Sequence, residues 1–334
     1  MEALPELELL RPASLAEAAA ARADHPGARL LGGGTDLVVN IRRGIEAPAR
    51  LIDMTGIAEL KTIRADAEAL EAGASVTLAQ LAQDPGVVAH YPGLAEAAHS
   101  IAGPTQREMG TVGGNLCLDT RCIYYNQSDW WRSANDHCLK TTGEMCHVAP
   151  RSRGVCFATF SGDLAPALLV LGAEVELLGP AGARRLPLAD LYIGHARHGG
   201  EGGDGKNYLA LRPGEMVTRV GARAVPGLRS GYDKIRIRRS IEYPVAGVAA
   251  ALKREGGGLA ELRVAVTGTN PRPVLLEGTE TLCGGALDQR VFAGLDALVR
   301  DQIMAMKTTF TPGHYRRRVA GVLAKRLVTR LFNG

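Results

Sequence analysis

Capped helices and short apolar strands alternate along residues 1–226. The run from Ser14 to Glu17 has the pattern of a capping box and predicts a helix that continues to about Arg22. A second capping box, from Thr77 to Gln80, predicts another short helix. The pattern also predicts strands at 28–31, 50–53, 69–73, 75–77, 175–178 and 215–220, helices at 92–101 and 164–171, and a mobile glycine-rich loop at 196–207.

The pattern changes after Pro226 and Gly227. Polar and apolar residues alternate strictly from Lys234 to Arg238, which predicts a strand. Further strands are predicted at 245–252 and 262–266, and helices at 287–307 and 315–332. This order predicts an α+β chain, in which two α+β lobes, at about 1–60 and 61–226, precede a C-terminal domain of a sheet and helices at 228–334.

Two glycine-rich turns follow short elements of the N-terminal part. The first runs from Gly32 to Asp36 and the second from Gly110 to Asn115. Glycine lets backbone N–H groups approach a phosphate closely, although each stretch taken alone could be an ordinary turn. Two such turns in one domain suggest one ligand with two phosphates. The first is not the dinucleotide fingerprint, because Leu37 occupies the place of the last glycine.

The segment from Cys117 to Cys156 has a different composition. It contains five of the six cysteines and both tryptophans, and it has no helical or strand periodicity. Such a long irregular segment within a compact domain is typically functional or disordered. Apart from Cys117 and Cys122, which are separated by four residues, the cysteines are too widely spaced for the usual paired zinc ligands, which favours an iron–sulfur cluster. A large zinc loop, disulfides and free thiols remain open alternatives.

Composition and charge narrow the class of protein. The chain has 334 residues and a net charge of +4, with no basic run long enough to indicate nucleic-acid binding. It has no apolar run of the roughly 18 residues that a membrane span needs. Its first ten residues are acidic and lack the apolar core of a signal peptide. We therefore expect a cytoplasmic protein with reduced cysteines.

The order of four motifs resembles the FAD-binding medium subunits of molybdenum hydroxylases, such as xanthine dehydrogenase and aerobic carbon monoxide dehydrogenase. The motifs are the two glycine turns, Gly162 to Leu168, and Lys234 followed by Pro244 to Gly247. The resemblance implies a two-lobed, PCMH-like FAD-binding domain and a C-terminal α+β domain of the CO dehydrogenase flavoprotein type.

The cysteine segment is inserted between the second turn and the Gly162 motif. It resembles the insertion of one branch of this family, the beta subunits of 4-hydroxybenzoyl-CoA reductases, which carry a [4Fe–4S] cluster there. The matching residues lie at 119–122, 125–128, 130–133, 138–140 and 146–147.

The resemblance implies a set of FAD contacts. Asp163 would meet the adenosine side of FAD. Lys234 would reach the isoalloxazine, where a cation favours the reduced flavin; the alternative for Lys234 is an exposed strand residue. The resemblance gives weaker support to three further polar contacts with FAD, at Asp36, Thr77 and Thr105. The pyrophosphate would lie on the backbone of Gly32, Gly33, Gly34 and Thr35 and of Gly110, Thr111, Val112, Gly113, Gly114 and Asn115.

Four of the five clustered cysteines are expected to ligate the iron–sulfur cluster. The expected ligands are Cys122, Cys138, Cys146 and Cys156. Cys117 is left out because it follows the second glycine turn by two residues, which ties its backbone to the FAD site.

The implied function is electron transfer, and no catalytic residue is assigned to this chain. The chain has no molybdopterin signature and no plant-type [2Fe–2S] spacing. The resemblance therefore implies a large molybdenum subunit and a small [2Fe–2S] subunit as partners, in a dimer of heterotrimers. Electrons from reduced ferredoxin would be used to convert 4-hydroxybenzoyl-CoA to benzoyl-CoA. Another molybdenum enzyme and a non-enzymatic iron–sulfur redox sensor are the alternatives.

Overall fold

Three separate sheets organise the chain, which confirms the predicted α+β class. The computed structural model describes residues 4–194, 203–238 and 240–334. The first sheet contains the parallel strands β1 (Glu8–Leu10), β2 (Arg29–Leu31) and β3 (Arg50–Asp53) in the order β1-β3-β2. Helices α1 (Leu15–Asp24) and α2 (Leu37–Arg42) make the crossovers that parallel strands require.

The start of α1 follows the sequence prediction closely. The Ser14 hydroxyl accepts a hydrogen bond from the Glu17 N–H at 3.2 Å. The Glu17 carboxylate accepts from the N–H of Ala13 at 2.8 Å instead of the expected N–H of Ser14. The helix ends at Asp24, two residues beyond the predicted end.

The second sheet is antiparallel and joins distant parts of the sequence. Its strands are β4 (Ile63–Ala65), β5 (Ala69–Gly73), β6 (Glu174–Gly179), β7 (Gly182–Pro187) and β8 (Met216–Arg223), in the order β4-β5-β8-β6-β7. The helices of this part are α3 (Leu78–Gln83), α4 (Pro85–His90), α5 (Pro92–Ser100), α6 (Pro104–Arg107), α7 (Val112–Leu116), α8 (Asp129–Ser133), α9 (Leu164–Val170) and α10 (Leu188–Leu191).

The third sheet has helices on both faces. Its antiparallel strands are β9 (Arg229–Ile235), β10 (Ala246–Glu255), β11 (Gly258–Thr267) and β12 (Val274–Leu275), in the order β12-β11-β10-β9. Helices α11 (Gln289–Gln302) and α12 (Gly313–Asn333) pack on one face, and α9 packs on the other. Every residue of α9 is buried, so this helix lies in the core that the C-terminal sheet shares with the second sheet.

Strand β10 is buried on both faces of this sheet. Val248, Ala250 and Leu252 belong to the cluster beneath α11 and α12. The intervening Ala249 and Ala251 belong to the cluster around α9. Alternate residues of a strand point to opposite faces, so a strand buried on both sides is apolar throughout.

Three predicted elements differ from the structure. The predicted strand 75–77 is a turn followed by a single isolated bridge between Thr77 and Thr111. The predicted strand 234–238 ends at Ile235, and the chain then turns toward residues 241–243. The predicted helix 287–307 is shorter and spans Gln289–Gln302. Most of the predicted mobile loop, residues 195–202, lies outside the described residues.

The cysteine segment leaves and re-enters the fold at one point. Arg121 and Thr159 form an isolated antiparallel bridge, with N–H to carbonyl distances of 2.9 and 2.8 Å. The C-terminal domain holds both ends of the segment. The Thr308 carbonyl accepts from the N–H of Ile123 at 2.9 Å, and the Thr308 and Thr159 hydroxyls are 2.7 Å apart.

Arg316 of α12 holds Thr308 in place. Its guanidinium is fully buried and donates to Thr308 Oγ1 at 2.7 Å and to the carbonyls of Val245 and Met306 at 3.1 Å each. It also donates to the carbonyl of Gly268. Burial without a carboxylate partner lowers the pKa of Arg316 to about 10.

We expect Arg316→Met to lower the free energy of unfolding by at least about 3 kcal/mol, because it leaves several buried carbonyls without a donor. Urea unfolding followed by circular dichroism measures the change. Arg317→Met is the matched control, since Arg317 is exposed on the same helix and its loss should cost less than about 0.5 kcal/mol. Equal losses in the two variants would contradict the buried role of Arg316.

Candidate functional site

A cavity of about 810 Å³ lies where the two glycine turns meet. Gly32 to Asp36 line it from the first lobe, and Gly110, Thr111, Gly113, Gly114 and Asn115 line it from the second. Residues 241–243 reach it from the C-terminal part. Its volume is that of a site for a large cofactor.

The first turn offers free hydrogen-bond donors to the cavity. Within the part of the chain that the structure describes, the N–H groups of Gly33, Gly34 and Thr35 donate to no acceptor. Gly34 has a φ of +71°, a left-handed conformation that favours glycine. Consecutive backbone donors of this kind are suited to phosphate oxygens. The first turn therefore fits the predicted pyrophosphate contact.

The second turn differs from the prediction in how it uses its backbone. The N–H groups of Val112 and Gly113 donate to Val76 and Ala74 at 2.9 Å each, and that of Gly114 donates to Thr111 Oγ1 at 3.2 Å. The N–H groups of Gly110 and Asn115 also have protein acceptors. The expectation that N–H groups of both turns neutralise the pyrophosphate is thus wrong for these five residues, because their donors are already bonded within the protein.

The second turn instead shapes the cavity. A Cβ atom on Gly33 would lie 1.6 Å from the carbonyl oxygen of Met109, and one on Gly32 would lie 2.7 Å from Thr111 Oγ1. These glycines are required because the two turns pack directly on each other. Val112 faces the core, and the Asn115 side chain accepts from the N–H of Leu164 at 3.0 Å and so holds the start of α9.

Asp36 joins three parts of the chain at the cavity wall. Its carboxylate accepts from Asn40 Nδ2 at 2.8 Å, from Arg121 Nη2 at 3.1 Å and from the Tyr243 hydroxyl at 3.3 Å. Arg121 belongs to the cysteine segment and Tyr243 to the C-terminal part. Asp36 is thus a cavity residue whose orientation is fixed from both sides.

The structure brings Asp163 and Lys234 into one buried ion pair. Lys234 Nζ lies 3.1 Å from each Asp163 oxygen, and the two side chains are 2% and 4% exposed. The Tyr232 hydroxyl also donates to Asp163. Burial lowers the pKa of Lys234, and Asp163 opposes this shift.

Asp163 and Lys234 touch each other, so they cannot both hold their implied places at opposite ends of an extended FAD, and at most one of the two roles stays a prediction. Asp163 lines the cavity, whereas Lys234 lies behind it. The alternative of an exposed Lys234 is also wrong, since its side chain is almost fully buried.

Neither predicted threonine contact lines the cavity. The Thr77 hydroxyl accepts from the N–H of Gln80 at 3.1 Å in the capping box of α3, which confirms that helix start. Thr105 is exposed, and its hydroxyl donates to Gln106. Gln106, its neighbour, is the residue of this turn that lines the cavity.

Four cysteines of the inserted segment are buried together. Cys122 and Cys138 pack in one small cluster around Tyr125. The Cys122 thiol interacts electrostatically with Cys138 and Cys146, and burial raises the pKa of Cys122 to about 11. A hydrogen bond from the Cys156 thiol lowers the pKa of Cys146 to about 5, and the same bond raises the pKa of Cys156.

Cys117 lies elsewhere. It ends helix α7 and lines the cavity, and its carbonyl accepts from the Tyr208 hydroxyl at 3.1 Å. Burial raises the pKa of its thiol to about 12. The structure therefore separates Cys117 from the other four cysteines of the segment.

All six cysteines are free thiols, which removes the disulfide alternative. Among residues 4–194, 203–238 and 240–334, no three His, Cys, Asp or Glu side chains are grouped compactly enough to hold a single metal ion. The described residues therefore support neither the zinc alternative nor the iron–sulfur cluster, and the cluster stays a prediction.

Sequence reasoning gave no role to the residues that separate the cavity from the cysteines. Tyr125 and Lys140 line the cavity and lie within two or three residues of Cys122 and Cys138. Their burial could not be read from an irregular, polar segment. Tyr208 completes this wall, at a position that periodicity assigned to no element.

The fold and the cavity define a two-lobed flavin-binding subunit with a C-terminal α+β domain. The model of the FAD binding domain in molybdopterin dehydrogenase matches residues 5–222, and that of the CO dehydrogenase flavoprotein C-terminal domain matches residues 231–331. The chain belongs to this family of molybdenum hydroxylase flavin subunits, and is an oxidoreductase subunit that binds FAD.

Similar proteins and a similar solved structure agree with this family assignment. The chain is 32% identical over 317 residues to the aldehyde oxidoreductase FAD-binding subunit PaoB of Escherichia coli (strain K12), covering 93% of this chain and 95% of that one. It is 28% identical to the carbon monoxide dehydrogenase medium chain of Afipia carboxidovorans, over 96% and 94% of the two chains. A chain of crystalline Cu,Mo-CO dehydrogenase superposes with a TM-score of 0.79, at 26% identity and 99% coverage of both chains.

These comparisons support the FAD site and the fold, and they do not bear on the cluster. No helix in the described ranges combines the length and apolar character that crossing a bilayer requires.

We expect Gly114→Val to weaken FAD binding at least tenfold, or about 1.4 kcal/mol. A Cβ atom at Gly114 would have only Thr111 Oγ1 within 4 Å, at 3.0 Å, so larger side chains would extend into the cavity. Flavin absorbance per purified chain and fluorescence titration measure the loss. Gly27→Val is the control, since Gly27 is exposed with open space around it. Full flavin content in Gly114→Val would refute this placement.

Gly33→Val would not distinguish a direct loss of FAD contact from a disrupted fold. Its side chain would collide with the backbone of Met109, so it would separate the two turns whether or not FAD is bound.

Proposed function

We propose that this chain is the FAD and [4Fe–4S] electron-transfer subunit of a 4-hydroxybenzoyl-CoA reductase type of molybdenum enzyme. It would carry electrons from reduced ferredoxin toward a molybdenum site on a partner subunit. There the phenolic hydroxyl of 4-hydroxybenzoyl-CoA would be removed to give benzoyl-CoA. The observation that carries the proposal is the buried cysteine pocket, which shares a wall with the flavin cavity.

The donor set of the pocket fits an iron–sulfur cluster. Cys122 Sγ accepts from the N–H of Tyr125 at 3.4 Å, and Cys156 Sγ accepts from the N–H of Ala158 at 3.5 Å. The Thr141 hydroxyl donates to Cys138 Sγ at 3.8 Å. Backbone N–H groups, including that of Phe157, donate to Cys146. Such donors stabilise thiolate charge and help to set cluster potentials.

The described residues contain no group of His, Cys, Asp or Glu side chains placed to hold a metal ion. The choice of a cluster over zinc therefore rests on the resemblance and on the wide spacing of the cysteines along the sequence.

The residues between the cysteine pocket and the flavin cavity would keep water out of the electron-transfer path that joins these two sites. Tyr125 packs against Cys122 and Cys138 on one side and lines the flavin cavity on the other. FAD, when bound, supplies a carrier of one or two electrons, which suits a one-electron donor feeding a two-electron reaction. The first glycine turn would bind its pyrophosphate, and the second would fix the cavity's shape.

A second candidate is the flavin subunit of a different molybdenum hydroxylase. Two relatives that match more than 90% of this chain are named as an aldehyde oxidoreductase subunit and a carbon monoxide dehydrogenase chain, which favours this second candidate. In either case we propose that the chain works in a complex with a molybdenum subunit and a [2Fe–2S] subunit, as a dimer of heterotrimers.

We expect the purified complex to contain molybdenum, flavin and iron in excess of a single [2Fe–2S] centre, and to reduce 4-hydroxybenzoyl-CoA with reduced ferredoxin. The isolated chain should show no turnover, because we propose that the molybdenum site lies on a partner subunit. Metal and flavin analysis with an anaerobic assay tests both statements. Turnover of an aldehyde but not of the CoA thioester would favour the second candidate.

We expect Ser substitution of Cys122, Cys138, Cys146 or Cys156 to remove most of the chain's own iron, since a cluster that loses a thiolate is destabilised. Iron per chain and the electron paramagnetic resonance signal of the reduced complex measure the loss. Cys117→Ser is the matched control and should keep full iron, because Cys117 lies on the cavity wall. Iron loss in Cys117→Ser with full iron in Cys122→Ser would reverse the assignment.

A further inference from the structure

Lys140 places a buried cation between the flavin cavity and the cysteine pocket. Its side chain is 7% exposed, although lysine is normally solvated. It lies two residues after Cys138 and lines the cavity. Its ammonium is 5.0 Å from the centroid of the Tyr125 ring and 5.9 Å from that of Tyr208. These two aromatic rings lie in the same wall.

The ammonium is held by acceptors from two parts of the chain. Lys140 Nζ donates to Asp119 Oδ1 and to the Thr120 carbonyl at 2.7 Å each, and to the Gly205 carbonyl at 3.0 Å. It also contacts the Thr120 hydroxyl. With this many acceptors, the position of the charge is fixed.

The same contacts bring Lys140 close to Cys156. The N–H of Gly205 donates to the Cys156 carbonyl at 2.8 Å, and Asp204 Oδ2 accepts from the N–H of Cys156 at 2.7 Å. Lys140 is therefore within electrostatic reach of the pocket.

We infer that Lys140 sets the reduction potential of the iron–sulfur centre through its fixed positive charge. This inference rests on the proposed function. Reduction adds one negative charge to the centre, and a nearby buried cation stabilises that charge more than solvent-screened cations can. Lys140 is thus a positioning and tuning residue; it is not a ligand.

Lys140→Met keeps an unbranched side chain and removes the charge, so it tests the inference directly. The midpoint potential is measured by redox titration of the assembled complex, with paramagnetic resonance detection, alongside iron and flavin per chain. We expect at least a tenfold shift toward the oxidised centre at a fixed potential, which is about 59 mV for one electron. Lys140→Arg should stay near the wild-type potential.

Arg151→Met is the matched control for loss of a positive charge. Arg151 is exposed in the same segment, between Cys146 and Cys156, and water should screen its charge. An equal shift in Arg151→Met, or an unchanged potential in Lys140→Met with full iron, would overturn the inference. A shift in Lys140→Arg as large as that in Lys140→Met would also overturn it, because the contacts rather than the charge would then be responsible.

If Lys140→Met loses iron, its potential cannot be compared with the wild type, and Asp119→Asn tests the inference instead. This variant removes the carboxylate paired with Lys140 and leaves the Thr120 and Gly205 acceptors in place. The inference requires the potential to become more positive, and no rise would reject it. Wild-type complex without iron beyond the [2Fe–2S] centre would instead reject the proposed function on which the inference depends.

Discussion

The contact between Gly33 and the Met109 carbonyl is the constraint on which the flavin site depends. No side chain larger than hydrogen fits at Gly33, since a Cβ atom would lie 1.6 Å from that oxygen. Because the two turns touch, the end of strand β2 and the start of helix α7 meet at one cavity. The second turn uses its own N–H groups to hold this geometry, which leaves those of the first turn for a ligand. The second turn thus fixes the shape of the cavity, and the first turn offers hydrogen-bond donors to a ligand.

Local signals in the sequence predicted much of this architecture. The helix N-caps at Ser14 and Thr77 and the glycine turns were readable because each depends on residues only a few positions apart. The strict apolar run of β10 was readable for the same reason. The α+β class and the identity of the FAD-binding domain follow from these signals together with the order of the motifs.

Interactions between distant residues could not be predicted in this way. Asp163 and Lys234 are 71 positions apart, and nothing local shows that they form a buried pair. The separation of Cys117 from the other four cysteines was readable, because Cys117 closely follows the second glycine turn, but the path of the irregular segment that buries those four was not. Lys140 lacks any periodic context, so only its position in space indicates that its charge is buried.

The bridge between Arg121 and Thr159 has a consequence for how such a segment can be gained or lost. Both ends of the cysteine segment meet at one pair of backbone hydrogen bonds, so the rest of the chain passes this point along nearly the same course with or without it. A lengthened loop adds only slowly to the entropy of closure. A segment of this length can therefore be inserted into a flavin-binding scaffold at this position while the sheets of the described residues keep their pairing.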